Sequence, residues 1–158
     1  RERAEMRKRL FCVITVIVRG NMRTRIFVDC DGTLISYDNI ACSWPDEPCE
    51  VHGHPFGVLR GEPYKINEPL SASIKAYVED NPCALVVIWS GGGAQYARII
   101  ADIALPGVDV MTMIKDKTSF HMVRAGDIVV DDMSLDVPTK VYRPDEWVHP
   151  AATQKEIE

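Results

Sequence analysis

"RIFVDCDGTLIS", Arg25 to Ser36, decides how the chain is read. It runs an apolar, β-rich stretch into two aspartates, Asp29 and Asp31, separated by Cys30 and followed by Gly32 and Thr33. Carboxylates this close repel one another, and burial raises the cost. A chain that keeps such a pair either exposes it in a turn or uses it to hold a cation. What the remaining sequence places beside the pair settles which.

Working outward, "ALVVIWS" (Ala84 to Ser90) is apolar on both faces, as a central parallel strand would be, and "DIVVDD" (Asp127 to Asp132) is a third run of that type. Each ends on a polar residue: Asp29, Ser90 or Asp131. "VDVMTMI" and "TKVYR" predict two further short strands. Helical patterning fills the gaps. It covers Glu68 to Glu79 behind Asn67 as N-cap, Ala94 to Leu105 after a triple glycine, and a weaker segment near Ser119 to Arg124. Strand and helix alternation of this kind predicts an α/β fold, a mainly parallel sheet flanked by helices. In such sheets ligands bind beyond the carboxyl ends of the strands, so the three polar strand ends are expected to converge on one crevice.

A chain of 158 residues with 46% hydrophobic and 26% charged residues has the size and composition of one globular domain. The net charge of −5 is uneven. Residues 1 to 25 hold eight Lys or Arg against two Glu, an excess of six positive charges that leaves the rest at −11. An acidic body of that kind has no general attraction for nucleic acid or an anionic membrane. "LFCVITVIV" (Leu10 to Val18) is too short for a membrane helix and lacks a small-residue cleavage site after it. Residues 1–21 therefore read as a basic N-terminal extension, 22–148 as the folded domain and 149–158 as a tail, with no membrane partner. Five cysteines, one of them inside the aspartate motif, disfavour a secreted disulfide framework; reduced thiols in a cytoplasmic protein are the simpler expectation. The stretch 37–65, rich in Pro, Gly and Cys, fits neither strand nor helix and reads as a flap inserted after the first strand.

Asp29-Cys30-Asp31-Gly32-Thr33-Leu34 after a strand resembles the first motif of the haloacid dehalogenase-like hydrolases. That superfamily's further motifs are matched in order by Ser90 closing "LVVIWS", Lys115 in "MIKDKTSF" and Asp131-Asp132 closing "IVVDD". The resemblance runs from about Met22 to Val148 and implies a Rossmann-like sheet with little or no cap. It also implies a Mg²⁺-dependent phosphate monoester hydrolase. By it, Asp29 is the nucleophile that forms an aspartyl-phosphate, and Asp31 is the acid that protonates the leaving oxygen and later activates water. The catalytic set is then Asp29, Asp31, Ser90 and Lys115. Ser90, Gly91 and Lys115 hold the phosphate, and Asp29, Asp31, Asp131 and Asp132 form the metal site, in keeping with the preference of Mg²⁺ for hard oxygen ligands. Lys117 competes with Lys115 for the lysine role. Lys115 is preferred because "KD" stands sixteen residues before the "DD" pair, as in phosphatases of the RNA polymerase tail-domain type.

The substrate is a phosphorylated small molecule, protein or nucleic-acid end; the motifs do not choose among them. A phosphomutase or phosphotransferase, and a non-catalytic phosphate-binding module, are the alternatives. The second acid, Asp31, favours the phosphatase and phosphomutase branches. Within the flap, Cys42, Cys49, His52 and His54 offer four zinc-type ligands in an irregular spacing, against the plainer reading of a polar loop with reduced thiols.

Overall fold

Alternate residues of a strand face opposite sides of a sheet, so "RIFVD" and "LVVIWS" must be covered on both faces to bury what they carry. The computed structural model describes residues 24–36, 64–150 and 152 and meets that demand. In chain order the elements are β1 (Arg25–Asp29), β2 (Ile35–Ser36), β3 (Lys65–Ile66), α1 (Glu68–Asp80), β4 (Leu85–Ser90), α2 (Ala94–Ala104), β5 (Val110–Ile114), α3 (Lys117–Phe120), β6 (Ile128–Val130) and β7 (Val141–Tyr142). Five strands form one sheet in the order β5-β4-β1-β6-β7, every neighbouring pair parallel. The fold is α/β, with a parallel sheet and flanking helices.

The alternation sorts the core into two layers. Ile26 and Val28 of β1, Val86 and Ile88 of β4 and Val130 of β6 pack with Leu70 and Ile74 of α1 and Ile100 of α2. Phe27, Val87, Trp89 and Val129 face the other way, with Val123 and Phe120 over them. The indole of Trp89 lies 5.0 Å from the Phe27 ring and 5.8 Å from that of Phe120, within the range of favourable aromatic pairing.

Local signals set the helix ends. Asn67 Oδ1 accepts from the Leu70 amide, and Pro69 stands in the first turn of α1, where its missing N–H costs nothing. Gly93 opens α2 at φ +96°, a conformation that disfavours side chains. The weak third helix lies two residues earlier than its pattern predicts, over Lys117–Phe120 instead of Ser119 to Arg124. Asp116 is the reason: its carboxylate accepts from the Ser119 amide while the Ser119 hydroxyl accepts from the Asp116 amide, a reciprocal cap that starts the turn at Lys117.

β2 and β3 pair antiparallel, Ile35 with Ile66 and Ser36 with Lys65, which brings together the two ends of the predicted flap. Flap residues 37–63, the basic extension over 1–21 and tail residues 153–158 lie outside the described residues, as do Cys42, Cys49, His52 and His54. Cys30 is a free, buried thiol, whereas Cys83 is disulfide-bonded, which corrects the expectation of uniformly reduced thiols. Among the described residues no helix is long and apolar enough to cross a membrane.

At the opening end of β1, Arg25 grips Asp127 through two bonds, Nε to Oδ1 at 2.9 Å and Nη2 to Oδ2 at 2.5 Å, and also donates to the Met122 carbonyl at 2.8 Å. Asp127 is buried, and its Oδ2 takes the Arg124 amide as well. Removing the guanidinium would strand a buried carboxylate, so Arg25→Met is expected to cost about 3 kcal/mol of unfolding free energy. Urea denaturation checks this; a loss under about 0.5 kcal/mol would show that the pair contributes no more than an exposed one.

Candidate metal and phosphate site

Strand register builds the site. β1 and β6 are aligned so that Val28 sits opposite Val130. The next residues, Asp29 and Asp131, therefore leave adjacent strand ends toward the same side, about 5 Å apart by strand spacing. The point between β1 and β6 is also where the winding reverses, since the chain runs from β1 outward to β4 and β5 and then returns to β6 and β7 on the other flank. Such a switch point leaves an open crevice at the strands' carboxyl ends.

Lys115 enters from the far flank. β4 and β5 align Ser90 with Ile114, and the Lys115 amide donates to the Ser90 carbonyl at 2.8 Å. The Asp116 cap fixes the turn just after it. From there the ammonium reaches Asp29 Oδ1 at 2.7 Å and Asp131 Oδ2 at 3.0 Å. Lys117, the competing lysine, is the exposed first residue of α3 and makes no ion pair among the described residues.

Asp29, Asp131 and Asp132 each offer a ligand atom within 4.8 Å of the others. All three are hard oxygen donors, the set that suits a small divalent cation. Asp131 Oδ1 accepts from the Met133 amide at 2.9 Å, which leaves its other oxygen to Lys115. The Asp132 amide donates to the Thr33 hydroxyl at 3.1 Å, tying the second acidic pair to the turn after β1. Gly32 in that turn stands at φ +71°, and a Cβ there would lie 2.5 Å from Asp132 Oδ2. Only glycine lets the turn close over this carboxylate.

Asp31 is placed differently from its expected partners. Its carboxylate is not in the trio; Oδ1 accepts a hydrogen bond from the hydroxyl of Tyr96, a buried residue in the first turn of α2. Ser90 is fully buried; its Oγ accepts from the Gly92 amide at 3.0 Å and hydrogen-bonds with the Cys30 thiol. Gly91 follows it on the exposed turn that leads to α2. Tyr96 escapes sequence reading because nothing marks it except its place on the buried face of a helix.

Charge balance shapes the site's chemistry. Burial, and after it the neighbouring Asp131, raises the Asp29 pKa from 3.8 to about 7 against the opposing pull of Lys115. Asp131 is also raised, chiefly by burial. Burial works to lower the Lys115 pKa, but Asp29 and Asp131 outweigh it, so the ammonium titrates above its ordinary value and stays charged. Burial also pushes the Cys30 thiol far up, so it is no nucleophile.

No family model matches the chain, and comparison with curated proteins and with solved structures finds no match.

A raised carboxyl pKa adds stability that is complete below its ordinary value of 3.8 and is lost as pH rises through about 7. The metal-free protein therefore carries a growing burden of buried negative charge across that window, which a divalent cation relieves. The gain in melting temperature from Mg²⁺ over EDTA is expected to be small below about pH 6 and to grow above about pH 8. Equal gains at both would overturn the carboxylate site.

Proposed function

We propose that the chain is a Mg²⁺-dependent phosphate monoester hydrolase of the haloacid dehalogenase-like type, built on a Rossmann-like sheet and working through a phosphorylated aspartate. The observation that carries this reading is Lys115 bridging Asp29 and Asp131 at the mouth of the crevice, with Asp132 beside them and Asp31 two residues along the turn. The order of the motifs along the chain supports it as well.

A phosphate monoester dianion repels an attacking carboxylate, so attack needs positive charge and hydrogen-bond donors around the phosphoryl oxygens. Lys115 supplies one charge. Asp29, Asp131 and Asp132 would hold a Mg²⁺ ion, which would supply two more by neutralising phosphoryl oxygen charge. Asp29 attacks phosphorus through one oxygen, the bond from phosphorus to the leaving oxygen breaks, and Asp31 delivers a proton to that oxygen. Asp31, now a carboxylate, takes a proton from water as the water attacks phosphorus. The Asp29 ester bond breaks, and inorganic phosphate leaves. Tyr96 holds the Asp31 carboxyl by its hydrogen bond, while Ser90 and the amides around Gly91 line the phosphate's other side.

Hydrolysis of a simple aryl phosphate is expected with Mg²⁺ and not with excess EDTA. Asp31→Asn should lower kcat by about 10²–10⁴, the usual worth of a positioned acid and base, and Asp29→Asn should lower it further by removing the nucleophile. Asp29→Asn within a few-fold of the parent would sink the covalent route.

The lysines offer a separate check on the same assay. Lys115→Ala should abolish turnover, whereas Lys117→Ala on the exposed face of α3 should leave it within about twofold, the usual scale of a surface substitution. The reverse pattern would move the charge-balancing role to Lys117.

A further inference from the structure

A cleft of about 440 Å³ meets the carboxylate site at Asp132. Its inner end is Gly32 and Asp132, the residues that close over the proposed metal. Pro69 and Leu70, from the first turn of α1, form an apolar wall. The outer end is the segment after β7, where Arg143, Asp145 and Trp147 line the space. That volume suits a small molecule's ring system.

The outer residues are firmly placed. Trp147 packs against the core layer over α1, edge-on to Tyr77 with ring centroids 5.6 Å apart. A tight turn sets the segment: the Glu146 amide donates to the Arg143 carbonyl at 3.0 Å, and the Arg143 amide donates to Glu146 Oε2 at 3.3 Å. Among the described residues the Arg143 guanidinium makes no ion pair and is the one cation lining the cleft. Asn67 also lines it, but its amide is committed to the Thr33 carbonyl and the Leu70 amide. The lining therefore offers the Trp147 indole and apolar walls, a planar donor fork in Arg143 and a carboxylate acceptor in Asp145.

We propose that this cleft is the leaving-group subsite and that it seats the base of a nucleoside monophosphate; the assignment rests on the phosphatase reading of the adjoining site. A nucleobase matches the lining group for group. Its ring faces stack on Trp147 and slide along Pro69 and Leu70, a carbonyl or ring nitrogen accepts from Arg143, and a ring or exocyclic N–H donates to Asp145. The phosphate then lies at the end of the cleft formed by Asp132 and Gly32, and Asp31, the residue before Gly32 in the same turn, protonates the sugar oxygen that leaves. A phosphosugar without a base would leave the outer half of the cleft to water.

The test uses the full chain and two readouts. The first is kcat/KM, with Mg²⁺, for nucleoside monophosphates, ribose 5-phosphate and an aryl phosphate. The second is calorimetric titration with nucleosides that carry no phosphate. Nucleotides should exceed ribose 5-phosphate by about tenfold to a hundredfold, the range of one stacked base. Trp147→Ala should erase that ratio and nucleoside binding together. Because Trp147 also packs on Tyr77, Arg143→Met and Asp145→Asn on the exposed segment carry the test if that variant fails to fold, each lowering the ratio by about tenfold. Hydrolysis of aryl phosphate with equal rates for nucleotide and ribose 5-phosphate would overturn the base site and leave the phosphatase reading standing. Nucleoside binding that depends on Arg143 and Asp145, with no monoester hydrolysed, would overturn the phosphatase reading and keep the base site. Neither hydrolysis nor nucleoside binding would overturn both.

Discussion

The ammonium of Lys115, 2.7 Å from Asp29 and 3.0 Å from Asp131, is the contact on which the site depends. Both carboxyls are almost wholly buried, at 4% and 0% exposure, and each would otherwise keep its proton or unwind its strand end to reach water. One ammonium does not balance the three carboxylates of Asp29, Asp131 and Asp132. With all three ionised, an excess of two negative charges remains, the charge that the proposed divalent cation would cancel. Burial, and after it the neighbouring Asp131, raises the pKa of Asp29 against the pull of that one ammonium.

Backbone register carries this arrangement. Parallel pairing of β1 with both β4 and β6 puts Asp29, Ser90 and Asp131 at one end of the sheet, and the reversal of winding between β1 and β6 keeps that end open. The strands themselves are held by two apolar layers that share no residue, one over α1 and α2 and one around Trp89. Because interiors pack densely, a shift of one strand would carry its terminal carboxylate with it. Stability and chemistry are therefore coupled at the strand ends and separable elsewhere, as at the Arg25 and Asp127 pair on the opposite edge.

Two turns complete the site from opposite directions. Gly32 lets the chain after β1 fold over Asp132, and Asp31 is carried by the same turn to meet Tyr96. Across the crevice, the Asp116 and Ser119 cap fixes the chain after Lys115. In the proposed reaction the first turn handles the leaving group and the second turn handles phosphoryl charge. In the same proposal the cleft toward Trp147 takes the leaving group, so its lining bears on substrate choice more than on the chemical step.

The strands, the two long helices and the charged strand ends were legible in sequence, because alternation, apolar runs and caps such as Asn67 are local signals that survive without a fold around them. Asp29, Ser90, Lys115 and Asp131 could be named for the same reason: each follows a strand pattern or falls in a recognisable motif. Spacing from the Asp131-Asp132 pair already favoured Lys115 over Lys117, and the fold adds the contacts that separate them: Lys115 meets Asp29 and Asp131, whereas Lys117 makes no ion pair among the described residues. Tyr96 beside Asp31, the departure of Asp31 from the carboxylate trio, and the union of Pro69, Arg143 and Trp147 around one cleft were decided by tertiary structure alone. These contacts join residues tens of positions apart through the packing of α1 and α2 against the sheet. Nothing in the local pattern of either partner records that distance, whereas a strand end announces itself in its own five or six residues.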